Sequence, residues 1–120
     1  MRKFILLAFL GFSSISFANE LELLTKYGCL ECHGIYKNTP KAPPFIAIRN
    51  RYLGQFMGDE EKVKKKIVNA IKNGSKDNWL RFKKGMPAFK NIPDKDVEKI
   101  ANYIINLQPN YFYDYYYWLK

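Results

Sequence analysis

One short motif constrains this chain more than any other feature. The segment Cys29-Leu30-Glu31-Cys32-His33 contains both cysteines and the single histidine of the sequence. If it forms a helical turn, cysteines three positions apart lie on the same side and the histidine follows one turn after Cys29, so all three can face one flat group. The pattern is typical of haem c attachment. We therefore expect one covalently bound haem c, joined through two thioethers at Cys29 and Cys32, with His33 as an iron ligand.

Other uses of two cysteines at this spacing agree less well with the sequence. A thioredoxin-like dithiol site follows a strand in a βαβ unit, and no such pattern is present. A zinc site needs four ligands, and one histidine beside two cysteines leaves too few donors. A plain structural disulfide would leave the long loops between the predicted helices unexplained.

The rest of the sequence predicts one small all-α domain with long loops. Helical spacing of apolar residues occurs over residues 20–27, 59–73 and 94–108. The segments 36–44 and 75–92 are rich in loop-forming residues, and no convincing strand alternation appears. A domain this small needs a supplement to its core, and loops this long need a group to wrap around. We expect three to five helices around the bound haem.

The first 18 residues have the features of a secretory signal peptide. Arg2 and Lys3 precede an apolar run, and Ser16-Phe17-Ala18 is a small-residue cleavage pattern. The apolar run is about half of the roughly 20 residues that a spanning helix needs, which disfavours the competing interpretation of a retained anchor. We expect residues 1–18 to be cleaved and residues 19–108 to form a periplasmic haem domain.

Residues 109–120 are expected to form a separate, aromatic-rich C-terminal tail. Seven of the eight residues 111–118 are aromatic. Such a segment can cover the surface of its own domain, dock a partner or a second copy, or contact a membrane surface. The sequence leaves these alternatives open.

The second face of the iron needs a donor other than histidine, because His33 is the only one. Met86 lies in Lys84-Gly85-Met86-Pro87, where glycine allows close backbone approach and proline fixes the turn. Met57, next to Gly58, is the alternative, and either methionine could be ordinary core filler. We expect His33 and Met86 to be the two iron ligands.

In their order and spacing these motifs resemble the class I c-type cytochromes, specifically the small bacterial monohaem kind. The resemblance extends from about residue 21 to residue 107. It includes the haem motif, the Ala42-Pro43 pair, Trp79, the Gly85-Met86-Pro87 loop and a last helix after Pro93-Asp94. It implies the cytochrome c fold, in which the first helix packs across the last one. Here that packing would bring together Leu24, Tyr27, Ile100, Tyr103 and Ile104.

The same resemblance implies roles for two further cofactor-binding residues. The Pro43 carbonyl would accept the imidazole N–H of His33 and orient the ring, although Pro44 next to it is an alternative. Trp79 would lie beside a haem propionate and donate its indole N–H, or it could be an ordinary core aromatic. Three arginines are possible propionate partners, among which the spacing does not choose: Arg49, Arg51 and Arg81.

The expected function is electron transfer rather than enzymatic catalysis. With both axial positions filled, substrates cannot easily reach the iron, and a thioether ligand favours reduced iron. By the resemblance, the donor would be a protein such as a quinol-cytochrome c reductase, and the acceptor a terminal oxidase or reductase. The alternative is a haem-based sensor, or an electron-transfer subunit of an enzyme, with a displaceable sixth ligand.

The full chain has a net charge of +9, and removal of Arg2 and Lys3 with the signal would leave +7, which favours partners with acidic docking surfaces. Lysines near the expected haem edge would steer such partners, with an effect that weakens as salt increases. We expect neither a nucleic acid partner nor stable membrane insertion, and we expect a monomer. The lysines predicted to lie near this edge are Lys26, Lys37, Lys41, Lys83 and Lys84.

Overall fold

The computed structural model describes residues 16–76, 79, 82 and 84–108. Within these ranges the chain forms helices and no β-strand; two isolated bridges pair Ser75 with Met86 and Trp79 with Phe82. The prediction of an all-α fold is therefore confirmed. The helices are α1 (Ser16–Lys26), α2 (Cys29–Cys32), α3 (Phe45–Gln55), α4 (Glu60–Asn73) and α5 (Asp94–Ile105).

The helix predicted over residues 59–73 is α4, and its ends are set by local chemistry. The Asp59 side chain accepts the backbone N–H of Lys62 at 3.3 Å, so it caps the helix rather than forming its first turn. Glu60 and Glu61 occupy the first turn, where the helix dipole favours negative charge. The helix stops before Gly74, as the sequence predicts.

The other two predicted helices differ from the structure in their bounds: the last at its C-terminal end, and the first at both ends, since α1 also stops at Lys26 rather than at Tyr27. The last helix, α5, ends at Ile105 rather than at residue 108, and Arg49 Nε donates to the Ile105 carbonyl at 2.8 Å. The first helix, α1, begins at Ser16 rather than at Glu20. The predicted cleavage point after Ala18 therefore falls within α1.

The α3 helix has no counterpart among the predicted periodic segments. Its apolar residues do not form one clean stripe, because they serve two surfaces. Phe45, Ile48 and Tyr52 line the cavity described below, whereas Ile46 and Leu53 pack into the core outside it. Two overlapping stripes weaken the single periodicity on which a sequence prediction depends.

Packing of α1 and α4 against α5 builds the core, as the resemblance implies for the first and last helices. Leu24 of α1 is 0% exposed and joins Ile100 and Ile104 of α5 in one apolar cluster. Burial of a side chain of this size contributes about 1.5–3 kcal/mol. The Tyr27 hydroxyl donates to Asp96 Oδ2 at 2.6 Å, which fixes the end of α1 on the start of α5.

Several expectations fall on residues outside the described ranges. They concern most of the signal segment, Arg81, Lys83 and the aromatic tail, and they stay predictions. Among the helices of the described ranges, none has the length and apolar character required to cross a membrane.

Candidate functional site

A mostly apolar cavity opens between α2, α3, α4, α5 and the two long loops. About 1150 Å³ of empty space lies within it, counting the open solvent at its mouth. Its apolar lining is of the kind that binds a flat hydrophobic cofactor. All six residues predicted to bind haem line it: Cys29, Cys32, His33, Pro43, Trp79 and Met86. They come from three segments of the chain, namely the cysteine turn and the two long loops, and their roles toward a haem stay predictions.

The cysteine turn enters the cavity directly from α1. Cys29 is half-buried, Cys32 is exposed, and the two are not joined in a disulfide. The backbone N–H of His33 donates to the Cys29 carbonyl at 3.0 Å, so the histidine continues the same turn. This places both sulfurs and the imidazole at one wall of the cavity, an arrangement that fits two thioethers and one nitrogen ligand of a haem c.

Two alternative chemistries of these cysteines find little support in the structure. Burial raises the pKa of the Cys29 thiol; a backbone hydrogen bond partly offsets this, and the charge of Cys32 adds to it. Dithiol oxidoreductases depend on a lowered thiol pKa, so Cys29 has the wrong character for that reaction. In the part of the chain that the structure describes, no three His, Cys, Asp or Glu side chains are grouped to hold a metal ion.

The imidazole of His33 is held through its Nδ1 atom. Nδ1 lies 2.7 Å from the Pro43 carbonyl oxygen, which can only accept, so Nδ1 carries the proton and Nε2 keeps a lone pair. Burial lowers the pKa of His33, and the bond to Pro43 only partly offsets this effect, so the ring is neutral at pH 7. The Pro44 carbonyl instead accepts from Ala47 and Ile48 in the first turn of α3. Of the two prolines, Pro43 therefore holds the ring.

Phe45 is a further residue of the site that the sequence analysis did not identify. Its ring stacks on the His33 imidazole with centroids 4.9 Å apart and an interplanar angle of 23°, within the usual range for aromatic pairs. Phe45 is only 3% exposed, so it forms a rigid support for the ring. An aromatic residue directly after the proline pair is the signal that could have indicated this role.

Met86 is placed by backbone pairing with the end of α4. Its N–H donates to the Ser75 carbonyl at 2.8 Å, and its carbonyl accepts the Ser75 N–H at 3.0 Å. Three residues later, the Phe89 N–H donates to the Ile71 carbonyl at 2.8 Å. These bonds join the loop to α4 on both sides of Pro87 and fix Met86 at the cavity wall.

This pairing requires glycine at two positions, directly before Ser75 and directly before Met86. A Cβ on Gly85 would lie 2.3 Å from the Ser75 carbonyl oxygen, and one on Gly74 would lie 2.7 Å from the Met86 carbonyl oxygen. Gly74 also has a φ of +81°, which residues with a side chain rarely adopt. The loop can approach α4 only because both side chains are absent.

The structure distinguishes between Met57 and Met86, the two methionines considered from the sequence as the second iron ligand. Met57 lies in the turn between α3 and α4, is 95% exposed and does not line the cavity. Met86 is half-buried and lines it. The geometry therefore favours Met86 as the residue that faces a bound cofactor.

Trp79 lines the cavity and is partly exposed, with the Arg51 guanidinium 4.3 Å from its ring centroid. A cation at this distance from an indole is attracted to the ring face. Arg49 is directed elsewhere, since it donates to Ile105 and to Asn50. Of the three arginines considered from the sequence, Arg51 lies beside Trp79. Arg81 is outside the described residues.

The chain is similar to proteins of known family. Residues 18–104 match the model of the family described as "Cytochrome C oxidase, cbb3-type, subunit III". Cytochrome c-552 of Hydrogenobacter thermophilus is 28% identical over 108 residues, which cover 90% of this chain and 100% of that protein. The crystal structure of wild-type Nitrosomonas europaea cytochrome c552 aligns with a TM-score of 0.60 at 24% identity, covering 73% of this chain and 99% of that one. The family match includes every residue of the cavity from the cysteine turn to Met86.

We predict that Gly85→Ala destabilises the protein by about 1–3 kcal/mol, because the added methyl group collides with the rigid backbone of Ser75. Gly54→Ala is the matched control, since a Cβ there meets nothing within 4 Å inside α3. That control should be neutral or stabilise by up to about 1 kcal/mol. Urea unfolding of the purified protein measures both changes. Equal stability of the two variants would contradict the described approach of the Met86 loop to α4.

Proposed function

Because the chain belongs to the small class I c-type cytochromes, a family of haem-based electron carriers, we propose that it shuttles single electrons through the periplasm on one covalently attached haem c. When bound, the haem supplies a one-electron iron couple that accepts an electron from a reduced protein and gives it to an oxidised one. The observation that carries this proposal is the meeting of Cys29, Cys32, His33 and Met86 at one apolar cavity.

His33 would provide one ligand of the haem iron through Nε2. The proton on Nδ1 and the Pro43 carbonyl fix the tautomer, and the Phe45 ring limits rotation of the imidazole. A hydrogen bond of this kind makes the imidazole a stronger donor to a metal. Because burial keeps the ring neutral, no proton has to leave Nε2 before it can bind iron.

Met86 would provide the other protein ligand of the haem iron through its thioether sulfur. A soft sulfur ligand favours reduced iron and raises the reduction potential relative to a second nitrogen ligand. The apolar side chains of α4 and α5 in the cavity wall, including Ile67, Ile71 and Ile104, limit access of water. With both ligands supplied by the chain, the site is closed to substrates, which suits electron transfer and not bond chemistry.

Restraint of both ligands suits repeated electron exchange. His33 is held by Pro43 and Phe45, and the Met86 backbone is paired with Ser75. Neither ligand therefore needs to move far when the iron changes its charge.

The surface near the cavity suits acidic partners. Lys41 and Lys84 are exposed and lie among the residues that line the cavity, beside the exposed Cys32. We infer that they steer partners to this face, with Lys37 adding to the positive field and Lys26 packing over the Tyr27 ring at 5.3 Å. A quinol-cytochrome c reductase as donor and a terminal oxidase or reductase as acceptor fit this role.

One observation favours a second candidate function. The matching family description names a subunit of a cytochrome c oxidase, so the same haem domain could act as the electron-transfer subunit of an enzyme. Size-exclusion chromatography of the native protein from its own membrane and soluble fractions separates the two. A free carrier elutes alone at physiological salt, whereas an enzyme subunit elutes with its complex.

Export and haem attachment predict one mass for the mature protein. If residues 1–18 are removed, the protein purified from a haem-attaching periplasm should have the mass of residues 19–120 plus one haem that survives denaturation. Intact-mass spectrometry of the periplasmic fraction measures both. A full-length mass would show that the signal is retained, and a mass without haem would contradict covalent attachment.

We predict that Met86→Ala lowers the reduction potential and abolishes the sulfur-to-iron charge-transfer band of the oxidised protein, because the iron loses its thioether ligand. Met57→Ala is the matched control and should change neither property, since Met57 is almost fully exposed outside the cavity. Spectroelectrochemistry on both holoproteins provides the readout. An unchanged potential and spin state in Met86→Ala would show that another residue is the ligand.

A further inference from the structure

The loop between the cysteine turn and α3 is closed at its ends by backbone hydrogen bonds. The Phe45 N–H donates to the Gly34 carbonyl at 2.9 Å, and the Ile46 N–H to the Ile35 carbonyl at 3.0 Å. Pro43, whose carbonyl holds His33, lies just inside this closure. The position of that carbonyl therefore depends on how the residues before it are held.

Thr39 makes the side-chain contacts that hold this part of the loop. Its hydroxyl lies within hydrogen-bond distance of the Cys32 carbonyl and 3.1 Å from the Ala42 carbonyl. It also accepts the backbone N–H groups of Lys41 at 3.3 Å and Ala42 at 3.2 Å. A hydroxyl has one proton and two lone pairs, so Thr39 can accept both N–H groups but donates to one of the two carbonyls at a time, that of Cys32 or that of Ala42.

The two sets of contacts connect two parts of the site. One reaches back to Cys32, in the turn that presents His33. The others tighten the turn that ends at Ala42, immediately before Pro43. Thr39 thus joins, through its hydrogen bonds, the segment that carries the imidazole donor to the segment that carries its carbonyl acceptor.

We propose that Thr39 is a positioning residue that holds the Pro43 carbonyl against His33 Nδ1 and thereby sets the donor strength of His33 toward iron. The inference rests on the proposed haem-binding function. A shorter, better aligned Nδ1–H···O bond makes the imidazole a stronger donor, which stabilises ferric iron and lowers the reduction potential. Loosening the loop weakens that bond and raises the potential.

Thr39→Val tests this inference in the haem-loaded protein, because it removes the hydroxyl and nearly keeps the shape. The reduction equilibrium should shift toward ferrous iron by up to about tenfold, which is about 59 mV for a one-electron couple. The His33 Nδ1 proton, followed by NMR in the reduced protein, should exchange with solvent several-fold faster. Thr39→Ser keeps the hydroxyl and should restore both values.

Thr25→Val is the matched control, since the Thr25 hydroxyl donates to Leu21 on α1 at 3.0 Å and lies outside the cavity lining. Its potential should equal that of the unaltered protein.

The inference is overturned if Thr39→Val has an unchanged potential and an unchanged Nδ1 exchange rate, even if the variant is less stable. It is also overturned if Thr39→Val and Thr39→Ala both fail to mature while Thr39→Ser succeeds, because the hydroxyl would then serve folding alone. Failure of the proposed function is distinct, since the unaltered protein itself would then lack a covalent haem couple.

Discussion

The hydrogen bond from His33 Nδ1 to the Pro43 carbonyl links the cysteine turn to the rest of the fold. It determines which ring nitrogen is protonated, and the stacked Phe45 ring restricts the plane of the imidazole. Pro44, next to Pro43, is the residue that precedes α3, and its carbonyl accepts from the first turn of that helix, which leaves the Pro43 carbonyl to face His33. The residues at the start of α3 thus hold the ring and set the tautomer of His33, which follows α2.

At the Met86 wall of the cavity, a side chain on a loop is likewise held by hydrogen bonds to a neighbouring segment. Met86 has no helix of its own; it is held because its loop pairs with the residues that follow α4, where two glycines permit close approach. The long helices α3, α4 and α5 contribute apolar walls and set the separation between the two sides. In this small domain the helices therefore chiefly position the two long loops, which carry Pro43 and Met86.

The sequence predicted those features that depend on neighbours along the chain. The cysteine motif, the capped and amphipathic α4, the amphipathic α5 and the Gly85-Met86-Pro87 loop are readable because spacing and local turn chemistry determine them. The α3 helix was missed because its apolar residues serve both the cavity and the core. The Arg51–Trp79 pair and the stacking of Phe45 on His33 join separate segments, and for Phe45 the sequence signal is limited to an aromatic residue directly after the proline pair. Thr39 acquires its role from the way its loop folds back on Cys32, which residue spacing does not record.

The absorption spectrum of the periplasmically matured protein, oxidised and reduced, with and without carbon monoxide, tests most directly whether His33 and Met86 close the site. We expect a low-spin spectrum, a sulfur-to-iron charge-transfer band in the oxidised protein and no response of the reduced protein to carbon monoxide. Ready carbon monoxide binding or a high-spin ferric form would contradict a closed site and favour a sensor or catalytic role with a displaceable sixth ligand.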